Sequence, residues 1–191
     1  MFNILGDIEG MSVLDLFAGT GAMGLEALSR GATHATFVEI DRQALAVVQR
    51  NIDATISGAD RTTDVIKGDA SRIVQTLAMA GERYDLVFFD PPYERTEEMI
   101  RATAHTLPAV CMEGTRVVLE LSNRHDHLIE GTTAVWGGET VLTRTYGDTA
   151  VAILKITPRN DDSVVPEDPD DSEVDDAGDE ADGDDSDGGD Q

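Results

Sequence analysis

The stretch VLDLFAGTGAMG, Val13 to Gly24, contains a complete G-x-G-x-x-G in Gly19, Gly21 and Gly24. An apolar run leads into it and a helix-length run, Ala22–Arg30, leads out. A turn that leaves a strand and opens a helix needs glycine where φ is positive or where the backbone must approach a ligand closely. Glu39 is the first acid at a strand end beyond the motif, 20 residues after Gly19. From there it can accept hydrogen bonds from ribose hydroxyls. Both features suit any adenosine-bearing molecule, dinucleotides included, so the surrounding sequence has to choose the ligand.

Working outward, strand candidates fall at 12–17, 35–40, 63–68, 84–90 and 115–122, with helical stretches at Ala22–Arg30, Arg42–Ser57, Ser71–Ala80 and Glu97–Leu107 between them. Leu45, Val48 and Ile52 recur at helical spacing behind Asp41, a suitable N-cap, and Ile73, Val74 and Leu77 do the same further on. Near-continuous apolar strands alternating with helices predict a parallel sheet covered on both faces. The end of the chain differs. TTAVWGG (132–138), ETVLTRTYG (139–147) and DTAVAILKI (148–156) read as β-rich, and YGDT (146–149) reads as a tight turn. No helix-length stretch separates the last two runs, so they predict an antiparallel hairpin at a sheet edge. The fold class is therefore α/β, with a mostly parallel sheet and a C-terminal antiparallel hairpin. This is the layout expected of a Rossmann-like class I S-adenosylmethionine-dependent methyltransferase; a plain NAD-binding pair of half-domains would stay parallel.

Three further features separate these readings. Asp15 lies inside the strand end, four residues before Gly19. A carboxylate there would repel a pyrophosphate but suits the ammonium or sulfonium side of S-adenosylmethionine. Asp69, in KGDA (67–70), follows the third strand, where it can accept from an adenine amino group or cap the next helix. DPPY (90–93) directly follows the apolar run Leu86–Phe89. Ligands of open α/β sheets bind beyond the strand C-termini where strand order reverses. With strands 1 and 4 adjacent there, Asp90 would face whatever Gly19 and Gly21 hold. A purine amino group gains positive charge as it attacks a methyl, and acceptors fixed beside it stabilise that charge more than the ground state. Asp90 and the Pro91 carbonyl supply two acceptors, consecutive prolines remove competing backbone donors, and Tyr93 offers a ring for an unstacked base, worth about 1–3 kcal/mol.

Together DLFAGTGAMGLEALSRGA, VEID, GDA, FFDPPY and YGDTAVAIL resemble the bacterial 16S rRNA guanine-N(2) methyltransferases, the RsmD family, over most of residues 2–156. The resemblance implies S-adenosylmethionine as methyl donor and a guanine of small-subunit rRNA as target, free or in the small ribosomal subunit. It implies that Asp15, Phe17, Gly19, Gly21, Glu39, Ile40, Asp69 and Ala70 bind the cofactor and that Asp90, Pro91 and Tyr93 form the catalytic motif. Two other readings stay open: a DPPY-type enzyme acting on adenine in nucleic acid, and a cofactor-binding but inactive ribosome-assembly factor. The span after Tyr93 is too short for an inserted DNA-recognition domain. Family members begin well before Phe2, with a basic β-hairpin extension that this chain does not show.

Composition bounds the rest. Of 38 acidic residues, 16 lie within 158–191, where Arg159 is the only basic residue, so the net charge of −24 divides into −15 for this tail and −9 for the body. Such a tail cannot bury enough apolar area to order itself, which predicts a methyltransferase domain over 1–157 and a disordered, solubilising acidic tail over 158–191. RNA binding relies on Lys and Arg, for which Arg95, Arg101, Arg124 and Arg144 are candidates. The lone Cys111 fits a reducing compartment and a small buried residue. There is no signal-like start and no bilayer-length apolar run, so a cytoplasmic monomer without membrane contact is expected. HDH (125–127) has no third clustered ligand and predicts a solvated loop without metal.

Overall fold

The computed structural model describes residues 2–56 and 60–158. A short helix α1 (Phe2–Leu5) precedes β1 (Ser12–Asp15), α2 (Ala22–Ser29), β2 (His34–Glu39), α3 (Arg42–Thr55), β3 (Thr62–Lys67), α4 (Ala70–Met79) and β4 (Tyr84–Phe89). Then come α5 (Thr96–Ala102), α6 (Thr106–Ala109), β5 (Cys111–Ser122), α7 (Leu128–Trp136), β6 (Gly138–Tyr146) and β7 (Thr149–Ile156). The sheet order is β3-β2-β1-β4-β5-β7-β6. β1 to β5 run parallel, and β7 is antiparallel to both β5 and β6. The expected adjacency of β1 and β4 and the closing hairpin are both present, with Gly147 at φ 59° in the turn. The acidic segment, apart from Pro158, lies outside the described residues.

Side chains alternate between two apolar layers because consecutive strand residues point to opposite faces. On one face Val13, Phe37, Phe88 and Val118 pack against Leu25 and Leu28 of α2 and Val48 and Ile52 of α3. On the other, Leu14, Val87, Phe89 and Leu119 pack against Val74 of α4, Ile100 of α5, Leu107 of α6 and Trp136 of α7. Asp41 caps α3 as its sequence suggests, accepting from the amides of Gln43 at 2.9 Å and Ala44 at 2.8 Å. Such a cap contributes about 1 kcal/mol.

Two readings of the sequence are corrected. Residues 132–136 are the last turns of α7, not a strand. Trp136 is fully buried there, its indole N–H donates to the Ile100 carbonyl at 3.2 Å, and its ring meets Phe89 edge-on at 4.9 Å. Tertiary burial of the indole overrides the local β propensity. The single helix expected over 97–107 is broken into α5 and α6: at the end of α5 both the amide and the hydroxyl of Thr103 bond the Met99 carbonyl, at 3.1 and 2.7 Å, and Pro108, which has no backbone donor, falls within the short α6. Cys111 is buried, its thiol 3.2 Å from the Leu107 carbonyl and pushed up to about 12 by burial. Among the described residues no helix is long and apolar enough to cross a membrane.

The third glycine of the motif serves packing. A Cβ on Gly24 would run into the ring of Phe37, which is itself fully buried. Gly24→Ala is expected to destabilise the fold by about 1–3 kcal/mol through overpacking, read as a lower urea midpoint with an unchanged m-value. A wild-type midpoint would refute the close approach of α2 to β2.

Candidate functional site

The C-terminal ends of β1, β2, β4 and β5 open on two adjoining recesses of about 410 and 320 Å³. The larger is lined by Phe17, Glu39, Ile40, Asp69, Ala70 and by Asp90, Pro91 and Tyr93. The smaller holds Asp15, Phe17, Gly19 and Asp90. All eleven residues singled out in the sequence thus meet at one rim except Gly21. That glycine sits beneath the loop as the left-handed N-cap of α2, at φ 80°. A Cβ there would stand 3.3 Å from Val48 Cγ1.

Glu39 holds the glycine loop in place. Its Oε2 accepts the Gly19 amide at 2.8 Å, while Oε1 accepts those of Ile40 and Asp41 at 2.8 and 2.9 Å. Three amides orient this carboxylate, which lines the larger recess and has acceptor capacity left. Beside it the Ile40 side chain is 58% exposed, an apolar surface offered to solvent at the mouth. Phe17 backs the junction of the recesses, its ring edge-on to Phe89 at 5.2 Å. Asp69 caps α4: its Oδ1 accepts from the Ser71 amide at 3.1 Å and from the Ser71 hydroxyl. Its Oδ2 lies 3.7 Å from Arg95. The Ser71 hydroxyl bond, with smaller help from Arg95, holds its pKa below the ordinary value.

Asp15 is 3% exposed and accepts the Gly24 amide at 3.1 Å. Among the described residues no cation pairs with it. Burial, opposed by that amide and aided by the charges of Asp90 and Glu39, pushes its pKa to about 7. Asp90 opens to solvent through the cleft, yet surrounding protein and then Glu120 push it to about 6. The Pro92 carbonyl accepts the Arg95 amide at 2.8 Å in the short turn Tyr93–Arg95. The Pro91 carbonyl has no such partner among the described residues, so Asp90 and Pro91 leave two acceptors at the rim. Tyr93 is 42% exposed, and its hydroxyl meets Thr149 Oγ1 at 3.2 Å. The hairpin therefore holds Tyr93, which lines the cleft, through its hydroxyl.

Sequence reasoning missed Glu120, which lines both recesses from β5. The available signal was a lone acid inside the apolar run VVLEL (117–121). Thr149 was missed as well, because its role depends on a tertiary contact. Of the four arginines considered, only Arg95 lines the cleft, and it is bonded to Glu98 at 2.9 Å. Arg101 pairs with Glu97. His125 and His127 contact each other edge-on in the short turn that connects β5 to α7. Among the described residues no group of three or more His, Cys, Asp or Glu is placed to hold a metal ion.

Comparison with known proteins gives the family of the chain. A family described as conserved hypothetical protein 95 matches residues 1–155. A putative rRNA methyltransferase of Bacillus subtilis is 36% identical over 160 residues, spanning 81% of this chain and 82% of that protein. The ribosomal RNA small subunit methyltransferase D of Escherichia coli is 38% identical over 96 residues, or 50% of this chain and 46% of that one. The solved structure of a putative methyltransferase from Escherichia coli superposes with a TM-score of 0.66 at 26% identity, over 83% of this chain and 82% of that one. The chain belongs to the conserved hypothetical protein 95 family, the RsmD family that its motifs resemble.

Proposed function

We propose that this protein is an S-adenosylmethionine-dependent rRNA methyltransferase that modifies the exocyclic amine of a guanine in small-subunit rRNA. The observation that carries this reading is the placement of Asp90 and the Pro91 carbonyl on the same rim as the Gly19 loop, across the adjacent strands β1 and β4. The relatives' activities on ribosomal RNA support the substrate class.

The donor set fits such a cofactor. Asp15 is a buried carboxylate without a cation, suited to the ammonium end; Glu39 suits ribose hydroxyls; Ile40 offers an apolar face to an adenine ring. Asp69, its Oδ2 beside Arg95, lines the cleft with Gly68 and Ala70 flanking it. When bound, S-adenosylmethionine supplies an electrophilic methyl on a sulfonium. The chain's own residues prepare the other partner. Asp90 and the Pro91 carbonyl each accept an N–H of the amine and hold its lone pair toward the donor side. Their attraction grows as the nitrogen becomes positive, which is the condition for raising rate. The carboxylate of Asp90 then stands where the surplus proton must leave. Tyr93, held by Thr149, supports the flipped base.

Transfer of a labelled methyl group to small ribosomal subunits tests the reading, and absence of guanine labelling would remove it. Asp90→Ala is expected to lower kcat on the order of a hundredfold while S-adenosylhomocysteine still binds. Because protonated Asp90 can no longer accept from the amine, the wild-type rate should fall as pH drops through about 6. A rate flat across that range would exclude Asp90 as acceptor.

Asp15 makes a separate prediction. Folded Asp15 keeps its proton to about pH 7, well above its unfolded value. Over that window the folded state binds more protons, so stability contributed by this group falls as pH rises. Asp15→Asn keeps an acceptor for the Gly24 amide and removes the charge. The variant should melt a few degrees higher at pH 8 without ligand, yet bind S-adenosylmethionine more weakly. A lower melting point together with undiminished binding would contradict both parts.

A further inference from the structure

The function proposed above assigns acceptors to the target amine but leaves open what tells guanine from adenine, since both carry an exocyclic amine. The register of β4 and β5 bears on this. Phe88 pairs with Val118 and Phe89 with Leu119, so Asp90 and Glu120 come level one residue later. Phe88 and Val118 share the layer facing α2 and α3, and alternation returns residues 90 and 120 to that same side. Both carboxylates line both recesses.

Glu120, like Asp90, differs from the other acids of this rim. Asp69 caps a helix, Glu39 binds three amides and Asp15 accepts from Gly24. Glu120 is half-buried in an apolar strand and its carboxyl makes no hydrogen bond or ion pair among the described residues. Burial holds its pKa above the ordinary value with no cation to offset it. A half-buried acceptor without a partner is costly unless a ligand supplies the donor.

Resting on the guanine reading, we propose that Glu120 accepts the N1–H of the target guanine and is the residue that admits guanine and excludes adenine. In guanine the ring position next to the reactive amine is a donor, N1–H. In adenine the corresponding neighbour, N1, is an acceptor. With the amine held by Asp90, the carboxylate on the adjoining strand faces that neighbouring ring nitrogen. It completes a hydrogen bond with guanine and meets a lone pair in adenine. A site built around a substrate N–H rejects the analogue lacking it far more strongly than an apolar pocket rejects a missing methylene.

The test uses the full chain and small subunits reconstituted with rRNA bearing guanosine or 2-aminopurine at the modified position. 2-Aminopurine keeps the 2-amino group but presents N1 as an acceptor. Wild type should favour guanosine on the order of a hundredfold in kcat/KM. Glu120→Gln, whose NH2 can donate to the 2-aminopurine N1 and whose carbonyl can still accept the guanine N1–H, should gain 2-aminopurine activity while keeping part of its guanosine activity, so that the preference collapses. Glu120→Asp should keep the preference at lower overall rate, and S-adenosylhomocysteine should bind all three proteins alike. Parallel loss on both substrates in Glu120→Gln would overturn the proposal. So would weakened cofactor binding in that variant, which would place Glu120 at the ammonium end, or an indifferent wild type. Failure of the guanine reading itself is distinguishable, because wild type would then methylate neither base.

Discussion

Asp15, Asp90 and Glu120 are brought to one rim by strand register, and none is bonded to a lysine or arginine among the described residues. Asp15 pairs with Phe88 across β1 and β4, and Phe89 pairs with Leu119 across β4 and β5. Moving any of these carboxylates away would require slipping a parallel ladder by one residue. That slip would turn Val13, Phe88 and Val118 out of one core layer and into the other. The acids therefore stay close although burial and mutual repulsion raise the pKa values of Asp15 and Asp90. A fold that holds charge in this way is poised to bind cations and N–H donors, which relieve what packing imposes.

The surrounding parts keep that arrangement rigid without neutralising it. Glu39 ties the glycine loop to the end of β2 through the Gly19 amide. Gly24 lets α2 sit against Phe37 and directs its own amide to Asp15. Pro91 and Pro92 offer no backbone donor to the carboxylates, and the Pro92 carbonyl is taken up within the turn that presents Tyr93. At the far side, β7 supplies Thr149 to the Tyr93 hydroxyl. The antiparallel hairpin thus stabilises the sheet edge and also orients the aromatic ring at the cleft.

Much of this was legible in the chain because its signals are local. Asp41 before an amphipathic run, glycines after β1, and Asp-Pro-Pro-Tyr at the end of β4 each announce their own geometry within a few residues. What was not legible depends on pairing between distant segments. Glu120 becomes part of the rim only because β5 lies beside β4, and Thr149 only because β7 returns beside β5. Residues 132–136 look like a strand by composition, but α7 buries Trp136 against Phe89 and Ile100, contacts no local pattern encodes. The break between α5 and α6 at residues 103–105 leaves no local mark strong enough to outweigh helical periodicity.

Charge gives the last constraint. The body carries −9 and the rim adds acids where a polyanion would have to approach. Arg95, the one arginine of the four considered that lines the cleft, is shared between Glu98 and Asp69, and Arg101 is held by Glu97. Phosphate neutralisation at the cleft is therefore meagre, although it usually dominates nucleic-acid affinity. The groups of this rim that remain free are acceptors: two carboxylates and a proline carbonyl. On the proposed reading they discriminate by the hydrogens a base edge can donate. The rim therefore offers hydrogen-bond acceptors instead of cations, and in the proposed function any grip on a phosphate backbone has to lie away from these carboxylates.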